Sequence, residues 1–351
     1  MNSFVEFSGD IIKAEKLVIS TFSVRPDEVL VVIPALNEAS HIEACLRSII
    51  ESDPFCEGVK IAVVDGGSTD GTQVIVDRMS REFPNIRLVD NPDKIQSAGI
   101  NKAVSVVADK RTQIIVRCDA HAVYPEGYVR RVVETFAEHP EAGSVVGVLD
   151  SKGENCFQRA SSWIVDTPLG SGGSAHRGGT ESGWVDHGHH AGFRIEWFRH
   201  IGGYDASFSH NEDAEYDHRL GLAGGRVWLD AGLRTDYVMR PTPRGLWLQY
   251  WRYGRGRART ILKHRMKPRL RQMVPALSLA IQFLCLLVAL VWPPALGIPA
   301  FYFGALVATS AVAAFQMRSA CGLWAGVAEF IIHNAWATGF LWQLAKGHRR
   351  K

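Results

Sequence analysis

The stretch Lys60-Ile61-Ala62-Val63-Val64-Asp65-Gly66-Gly67-Ser68-Thr69-Asp70-Gly71-Thr72 changes character at its midpoint. Lys60–Val64 is a short apolar run after one lysine, which reads as a strand buried on both faces. Asp65–Gly71 is turn chemistry, and a helix is expected over Gly71–Glu82. The same unit recurs on either side. Val29–Ile33, ended by Pro34, leads to a helix over Glu38–Glu51 with Ile42, Leu46, Ile49 and Ile50 on one face. Ile86–Val89 leads to Gln96–Ala108, Gln113–Arg117 leads to Glu126–Glu138, and Ser144–Val148 closes the series. Strands alternating with helices of about ten to fifteen residues predict an α/β fold, with a Rossmann-like, mostly parallel sheet and helices on both faces.

The alternation stops at residues 170–183, which hold six glycines and read either as a flexible linker or as a mobile loop beside a site. A helix is expected over Asp213–Ala223, with strands near Arg226–Leu229 and Tyr237–Arg240.

Charge divides the chain. Residues 1–236 carry 23 Lys and Arg against 35 Asp and Glu; residues 237–351 carry 16 against one, Glu329. An acidic α/β domain thus precedes a basic, apolar tail, and anionic lipid is the expected partner rather than nucleic acid. No charged residue occurs from Gln272 to Met317. Met273–Trp292 and Ala295–Phe315 each approach the ~20 residues that cross a bilayer, with a turn at Pro293-Pro294. Lys263, Arg265, Lys267, Arg269 and Arg271 precede the pair and Arg318 follows it, so the positive-inside rule predicts a hairpin in the inner membrane with both flanks cytoplasmic. A third apolar segment, Cys321–Ala345, contains Glu329, His333 and Asn334 and runs into the basic end Lys346–Lys351. A crossing would place those charges outside, so a re-entrant or interfacial helix is expected, with Glu329 and His333 able to pair one turn apart.

These readings divide the chain into an N-terminal extension (1–28), an α/β domain (29–243), a basic amphipathic interfacial segment (244–271), membrane segments (272–345, with 273–292, 295–315 and a third at 321–345) and a basic tail (346–351). The opening residues lack a basic region followed by an apolar run, so no signal peptide is read and the domain is expected in the cytoplasm. The six cysteines, Cys45, Cys56, Cys118, Cys156, Cys285 and Cys321, form no CxxC pair or zinc spacing and fit a reducing compartment.

Ligands of open α/β sheets bind beyond the carboxyl ends of the strands. Four turns stand there. Pro34-Ala35-Leu36-Asn37-Glu38 places Asn37 and Glu38 to meet a ligand, or Asn37 to cap the next helix. Asp65 offers acceptor oxygens to a base or ribose, or the turn is a plain capped one. In Arg117-Cys118-Asp119-Ala120-His121, Asp119 and His121 can share a divalent cation, for which a carboxylate and an imidazole suit Mn2+ more than Mg2+. In His210-Asn211-Glu212-Asp213 a carboxylate could take a proton from a hydroxyl, or simply favour a helix N-terminus.

Taken in order, PALNE (34–38), VVDGGSTDGT (63–72), DAH (119–121) and GGYD with NED (202–205, 211–213) resemble the family 2 inverting glycosyltransferases of GT-A fold, over roughly residues 28–262. The resemblance implies that Pro34, Asn37, Glu38, Asp65 and Asp119 hold the nucleotide of a UDP-sugar. It implies that Asp119 and His121 occupy the metal position, with histidine where the family has a second aspartate. Asp213 matches the catalytic base with Glu212 beside it, and His187, Gly192 and Phe193 match a segment lining the acceptor side. Gln249-Tyr250-Trp251-Arg252-Tyr253-Gly254-Arg255 is similar to a Gln-x-x-Arg-Trp motif of processive members, with Tyr253 for the tryptophan; Gln249, Arg252 or Arg255 would meet acceptor or diphosphate. The same helix could lie on the membrane with Leu246, Trp247, Tyr250 and Trp251 inward.

The DAH, GHHAGF and YGRGRA runs resemble the members that build succinoglycan. That likeness implies transfer of glucose from UDP-glucose, in β-1,3 linkage, to galactose on a polyprenyl diphosphate. A processive polysaccharide synthase is the near alternative. A nucleotidyltransferase ranks lower, because Leu36-Asn37-Glu38 stands where it needs a basic glycine-rich loop.

Overall fold

The computed structural model describes residues 24–268 and 270–347. Most of the N-terminal extension, Arg269 and His348–Lys351 lie outside the described residues. The elements run β1 (Val29–Ala35), α1 (Ile42–Ile50), β2 (Lys60–Asp65), α2 (Thr72–Glu82), β3 (Ile86–Asp90), α3 (Gln96–Val107), β4 (Ile114–Arg117), α4 (Tyr128–Glu138) and β5 (Ala142–Lys152). Then come α5 (Cys156–Val165), α6 (Pro168–Ser171), β6 (Gly183–Val185), β7 (His189–Arg194), α7 (Ile195–His200), α8 (Glu212–Leu222) and β8 (Arg226–Val238). The C-terminal helices are α9 (Pro243–His264), α10 (Leu270–Val288), α11 (Gly297–Gln316) and α12 (Ala325–Lys346).

The eight strands form one sheet in the order β3-β2-β1-β4-β7-β5-β8-β6. The expected parallel pairings are there: β1 lies between β2 and β4, β3 flanks β2, and β5 pairs with β8. Burial on both faces is visible within β1, whose Val29, Val31 and Ile33 enter one core while Leu30 and Val32 enter the other. The first core takes Leu46 of α1, Met79 of α2 and Phe136 of α4; the second takes Ile100 of α3, Phe198 of α7 and Leu220 of α8.

Two features depart from the sequence reading. Strand β7 runs antiparallel between β4 and β5, and β6 is an antiparallel edge on β8. The expected strands Arg226–Leu229 and Tyr237–Arg240 are one strand that ends at Val238, with its register on β5 jumping between Leu229 and Arg234. The glycine-rich segment is docked rather than a free linker: Leu149 N donates to His176 O (3.0 Å), and Arg234 Nη1 donates to Gly179 O (3.0 Å).

The C-terminal helices close against the α/β domain. Phe157 and Ile164 of α5, Leu246 of α9, and Ala328, Ile331 and Ile332 of α12 share one core, with Trp247 and Tyr250 packed on it. The apolar side of α9 is therefore covered by α12. At the crossing, Gly254 faces Trp336 O and Gly339 faces Trp251 O. Segment 321–345 is a continuous helix from Ala325, not a re-entrant turn. Glu329 and His333 do not pair: His333 Nε2 donates to Leu169 O (2.9 Å), and Glu329 Oε2 is buried with no partner among the described residues. Two of the six cysteines are joined. Cys156 at the start of α5 and Cys321 ahead of α12 form a disulfide across 165 residues, a pairing that spacing alone cannot reveal.

Of the two expected spans, Pro293–Gln316 (24 residues, mean hydropathy 1.7) is long and apolar enough to cross a membrane. The other helix is apolar over Gln272–Val288 but shorter, because the chain leaves the helix after Val288 and turns towards Pro293.

Candidate active site

The turns after β1 and β2 are knitted together. Asn37 has φ 58° and does not cap α1, which starts at Ile42 behind His41. Instead Asn37 N donates to Ser68 Oγ (2.8 Å), and Asn37 Oδ1 accepts from Thr69 N (2.9 Å). Glu38 N donates to Thr72 Oγ1 (2.9 Å) and Ala39 N to Asp70 Oδ2 (3.0 Å). Asp65 is buried and organises its own turn, accepting from Gly67 N (2.8 Å), Ser68 N (2.9 Å) and Gln73 Nε2 (2.5 Å). Burial opposes its charge, but the Ser68 hydroxyl, which donates to Asp65 Oδ1, and these donors prevail and lower its pKa. Gly67, at φ 83°, supplies the left-handed residue that turns the backbone N–H groups onto this carboxylate. Pro34 is half-buried one residue before the end of β1, opposite Val64 of β2.

The next two turns meet at Arg117, the last residue of β4. Its guanidinium is buried; Nη1 donates to Asp213 Oδ1 (2.5 Å) and Tyr204 Oη (3.2 Å), and Nη2 lies 3.5 Å from Asp119 Oδ1. Gln96, with its amide oxygen turned to satisfy both groups, accepts from Arg117 Nη2 (2.6 Å) and Nε (3.2 Å). Asp213 Oδ1 also accepts from Tyr204 Oη (3.0 Å) and His190 Nδ1 (3.1 Å), and His190 Nε2 donates to Asp217 Oδ1 (2.8 Å). Every one of these bonds falls on Oδ1; Oδ2 of Asp213 makes none among the described residues. Burial disfavours the Asp213 charge, yet Arg117 and His190 outweigh it and hold the carboxyl well below the usual carboxylate range. Its neighbour Glu212 is pushed up to about 7, by burial first and the Asp213 charge second. Asp119 is likewise held low by Arg117 and His189 against its burial, and His189 Nε2 lies 3.4 Å from its Oδ2.

The antiparallel course of β7 explains this meeting. Val116 pairs with Gly192, so His189 and His190 emerge beyond the carboxyl end of β4, beside Arg117 and Asp119. Gly192 and Phe193 are not at the surface of the site. A Cβ on Gly192 would stand 2.6 Å from Val132 Cγ1, and Phe193 is wholly buried in the second core. His187 lies nearer the opening, its ring 5.7 Å from that of His176.

On α9, Gln249 is buried and held by the hydroxyls of Tyr237 and Tyr253. Arg255 is clamped between Trp251 and Trp342, 4.5 Å from each ring centroid, which commits it to the α9–α12 packing. Arg252 is exposed. Gly256 brings α9 against His210 O and Asn211, directly ahead of Glu212 and Asp213.

Comparison with known proteins gives the family. Residues 30–202 match the model "Glycosyl transferase family 2". The chain is 42% identical over 322 residues to "Succinoglycan biosynthesis protein ExoA" of Rhizobium meliloti, covering 92% of this chain and 96% of that protein. The chain is a family 2 glycosyltransferase. A more distant relative of this glycosyltransferase, 24% identical and spanning 66% of this chain and 74% of its own, is the dolichyl N-acetyl-alpha-D-glucosaminyl phosphate 3-beta-D-2,3-diacetamido-2,3-dideoxy-beta-D-glucuronosyltransferase of Methanococcus voltae. The Pyrobaculum calidifontis mannosyltransferase PcManGT, solved with GDP-Man and Mn2+, shares the fold at TM-score 0.58 and 23% identity, covering 91% of this chain and 88% of its own.

The glycosyltransferase offers a divalent ion two donors rather than a cage. No group of three or more His, Cys, Asp and Glu converges as a metal site among the described residues. Asp119 is ionised, His121 is about half exposed, and the two lie near enough for each charge to favour the other. Two donors would leave the remaining positions of such an ion to substrate phosphates or water, as Mg2+ usually takes them. His121 Nδ1 meanwhile lies 3.3 Å from Glu38 Oε1, tying the first and third turns together.

Three site residues of the glycosyltransferase carried no role in the sequence reading: Arg117, His189 and His190. All three stand inside motifs quoted above, but Asp213, the partner of Arg117 and His190, lies 96 and 23 residues away from them. Burial opposes the charge on His190, yet Asp217 and Asp213 outweigh it and raise its pKa to about 9. A histidine raised in this way stabilises the fold fully below its unfolded pKa of ~6.5, and the contribution is lost as pH rises through 9. The melting temperature of the purified enzyme is therefore expected to fall between pH 7 and 9.5. His190→Gln, which cannot carry the charge, should melt lower at pH 7 and lose most of that slope; an unchanged slope would refute the charged assignment.

Proposed function

We propose that this glycosyltransferase moves glucose from UDP-glucose, with inversion, onto a sugar carried by a polyprenyl diphosphate, in β-1,3 linkage and as one step of exopolysaccharide assembly. The observation that carries the reading is the Arg117 bridge, which joins the carboxylate at the metal position, Asp119, to the carboxylate beside the acceptor, Asp213. Similarity to ExoA over nearly the whole of both chains supports the pathway, and the name of the Methanococcus voltae relative supports a lipid-linked acceptor.

In this reading Asp213 works from its two oxygens differently. Oδ1 is fixed by Arg117, Tyr204 and His190, which leaves Oδ2 to meet the acceptor hydroxyl. The hydroxyl passes its proton to Oδ2 as attack on the anomeric carbon makes it acidic, and the anomeric bond to UDP breaks on the opposite side. A UDP-α-sugar then gives a β product. Pro34, Asn37, Glu38 and Asp65 hold the nucleotide end, where the first two turns are bonded together. A divalent ion at Asp119 and His121, when bound, neutralises charge on the departing diphosphate. Arg252 adds positive charge on the acceptor side, whereas Arg255 acts through packing.

Attachment to the membrane belongs to the same proposal. Phe301, Val307 and Phe315 of α11, and Leu277, Phe283 and Leu284 of α10, are exposed large apolar side chains on two helices free of acidic groups. A hairpin of α10 and α11, with the α/β domain and α9 on the cytoplasmic face, satisfies that surface and the basic residues near Lys263.

The test is mass analysis of lipid-linked products after the full chain in detergent is incubated with a panel of UDP-sugars and lipid-linked galactose. One added hexose from UDP-glucose is expected. A polymer, or no transfer from any UDP-sugar, would sink the reading.

A further inference from the structure

A cavity of 590 Å³ lies between the glycine-rich segment and helices α9, α10 and α12, outside the catalytic cluster. Its lining mixes two chemistries: the cationic and imidazole groups of His176, His187, Arg177 and Arg257, and the apolar side chains of Val274, Ile332 and Trp336. The histidines lie towards the active site, because His176 feels the charge of Asp213 and His187 that of Asp217. The apolar lining reaches the exposed side chains of α10, where Val274 is 56% exposed. Arg177 is held with its guanidinium 4.6 Å from the centre of the Tyr237 ring. Its Nη1 is nonetheless buried with no hydrogen-bond partner among the described residues, as is His176 Nδ1. A buried guanidinium N–H without an acceptor is costly, and a phosphate oxygen is the acceptor that guanidinium geometry suits best.

We infer that this cavity is the seat of the acceptor lipid: Arg177 and Arg257 meet the diphosphate of a polyprenyl diphosphate, and its hydrocarbon chain leaves past Val274, Ile332 and Trp336 along α10. The inference rests on the acceptor class proposed above and adds where that acceptor sits. It also gives the glycine-rich segment a purpose. Residues 170–174 line the cavity with small side chains and backbone, leaving room for a bulky headgroup while His176 and Arg177 come from the same loop. The first sugar beyond the diphosphate then lies towards His187 and Asp213, the direction from which its hydroxyl must arrive.

Binding of three probes to the purified full chain in detergent, followed by native mass spectrometry, tests the assignment: undecaprenyl diphosphate, undecaprenol and inorganic diphosphate. The wild type should bind undecaprenyl diphosphate at least about tenfold more tightly than either of the others. Arg177→Gln should reduce that affinity to near the value for undecaprenol, and Arg177→Lys should recover part of it. Val274→Asp, at an exposed position on the apolar rim, should weaken both lipids and leave inorganic diphosphate alone. Wild-type lipid affinity in both Arg177→Gln and Val274→Asp would overturn the assignment, as would inorganic diphosphate binding as tightly as the lipid. Lipid binding without sugar transfer to any lipid-linked acceptor would instead remove the proposed function and leave the cavity assignment standing.

Discussion

Asp213→Asn is expected to lower kcat by about 10²–10⁴-fold, the range typical for loss of a positioned proton acceptor. Asparagine keeps the shape of the side chain and can still accept from Arg117, Tyr204 and His190, so the change is one of charge and basicity. Arg117 and His190 would then be left with less compensating charge in a buried site, and a stability cost of a few kcal/mol is expected beside the kinetic one. The two effects separate by measurement. UDP binding by calorimetry and the melting temperature report on the fold; single-turnover transfer reports on the proton. Near-normal transfer in a folded Asp213→Asn enzyme would remove Asp213 from the role.

Glu212 sharpens that test. Its pKa of about 7 places its ionisation within the working range, whereas Asp213 is ionised throughout. If the anionic Glu212 supports transfer, kcat falls as pH drops below 7, and Glu212→Gln loses that limb. Asp213→Asn removes the neighbouring negative charge that raises Glu212, so its residual activity should show the limb at lower pH. A limb unmoved in both variants would assign it to another group.

The parts of the fold legible in sequence were those where one local signal sufficed. Val29–Ile33 and Lys60–Val64 are buried on both faces and read as apolar runs; each is followed by turn residues and then a periodic helix. The turns at their carboxyl ends fell out of the same reading. Strand β7 gave no such signal, since His189–Arg194 mixes two histidines, a glycine and an arginine, and its place in the sheet is set by partners on β4 and β5 far away in the chain. That single insertion hid His189 and His190 as site residues. It also made Gly192 and Phe193 look like site residues when they are sheet and core. Asn37 was ambiguous for a related reason. Its side chain could cap a helix locally, and the competitor that won, the turn after β2, is 32 residues away. The apolar stripe of α9 fits a membrane surface on sequence alone, but α12 covers it. Periodicity reveals that a face must be buried, not what buries it.

That covering rests on glycines, and their replacement carries the second large expectation. A Cβ on Gly254 would lie 2.0 Å from Trp336 O, and one on Gly339 would lie 2.1 Å from Trp251 O. Both obstacles are helix backbone, so no side-chain rotation relieves them and the helices must separate. Overpacking of this kind costs about 1–3 kcal/mol, and more where backbone must move. Gly254→Ala and Gly339→Ala should therefore each lower the melting temperature, and the pair together should come near to detaching α12 from α9. A catalytic loss should follow from the other side of the same helix. Two residues on from Gly254, Gly256 seats α9 against His210 O, and Asn211 Nδ2 donates to Thr260 Oγ1 (2.8 Å), immediately before Glu212 and Asp213. A shift of α9 that carries those carboxylates by 1 Å can cost about 10²-fold in rate. The control is Gly304→Ala in α11, where an added Cβ meets nothing within 4 Å. There alanine should be neutral or slightly stabilising, by up to about 1 kcal/mol, since it only removes freedom from a helix interior. Wild-type melting and turnover in Gly254→Ala would show that the α9–α12 crossing does not hold the catalytic turn in place.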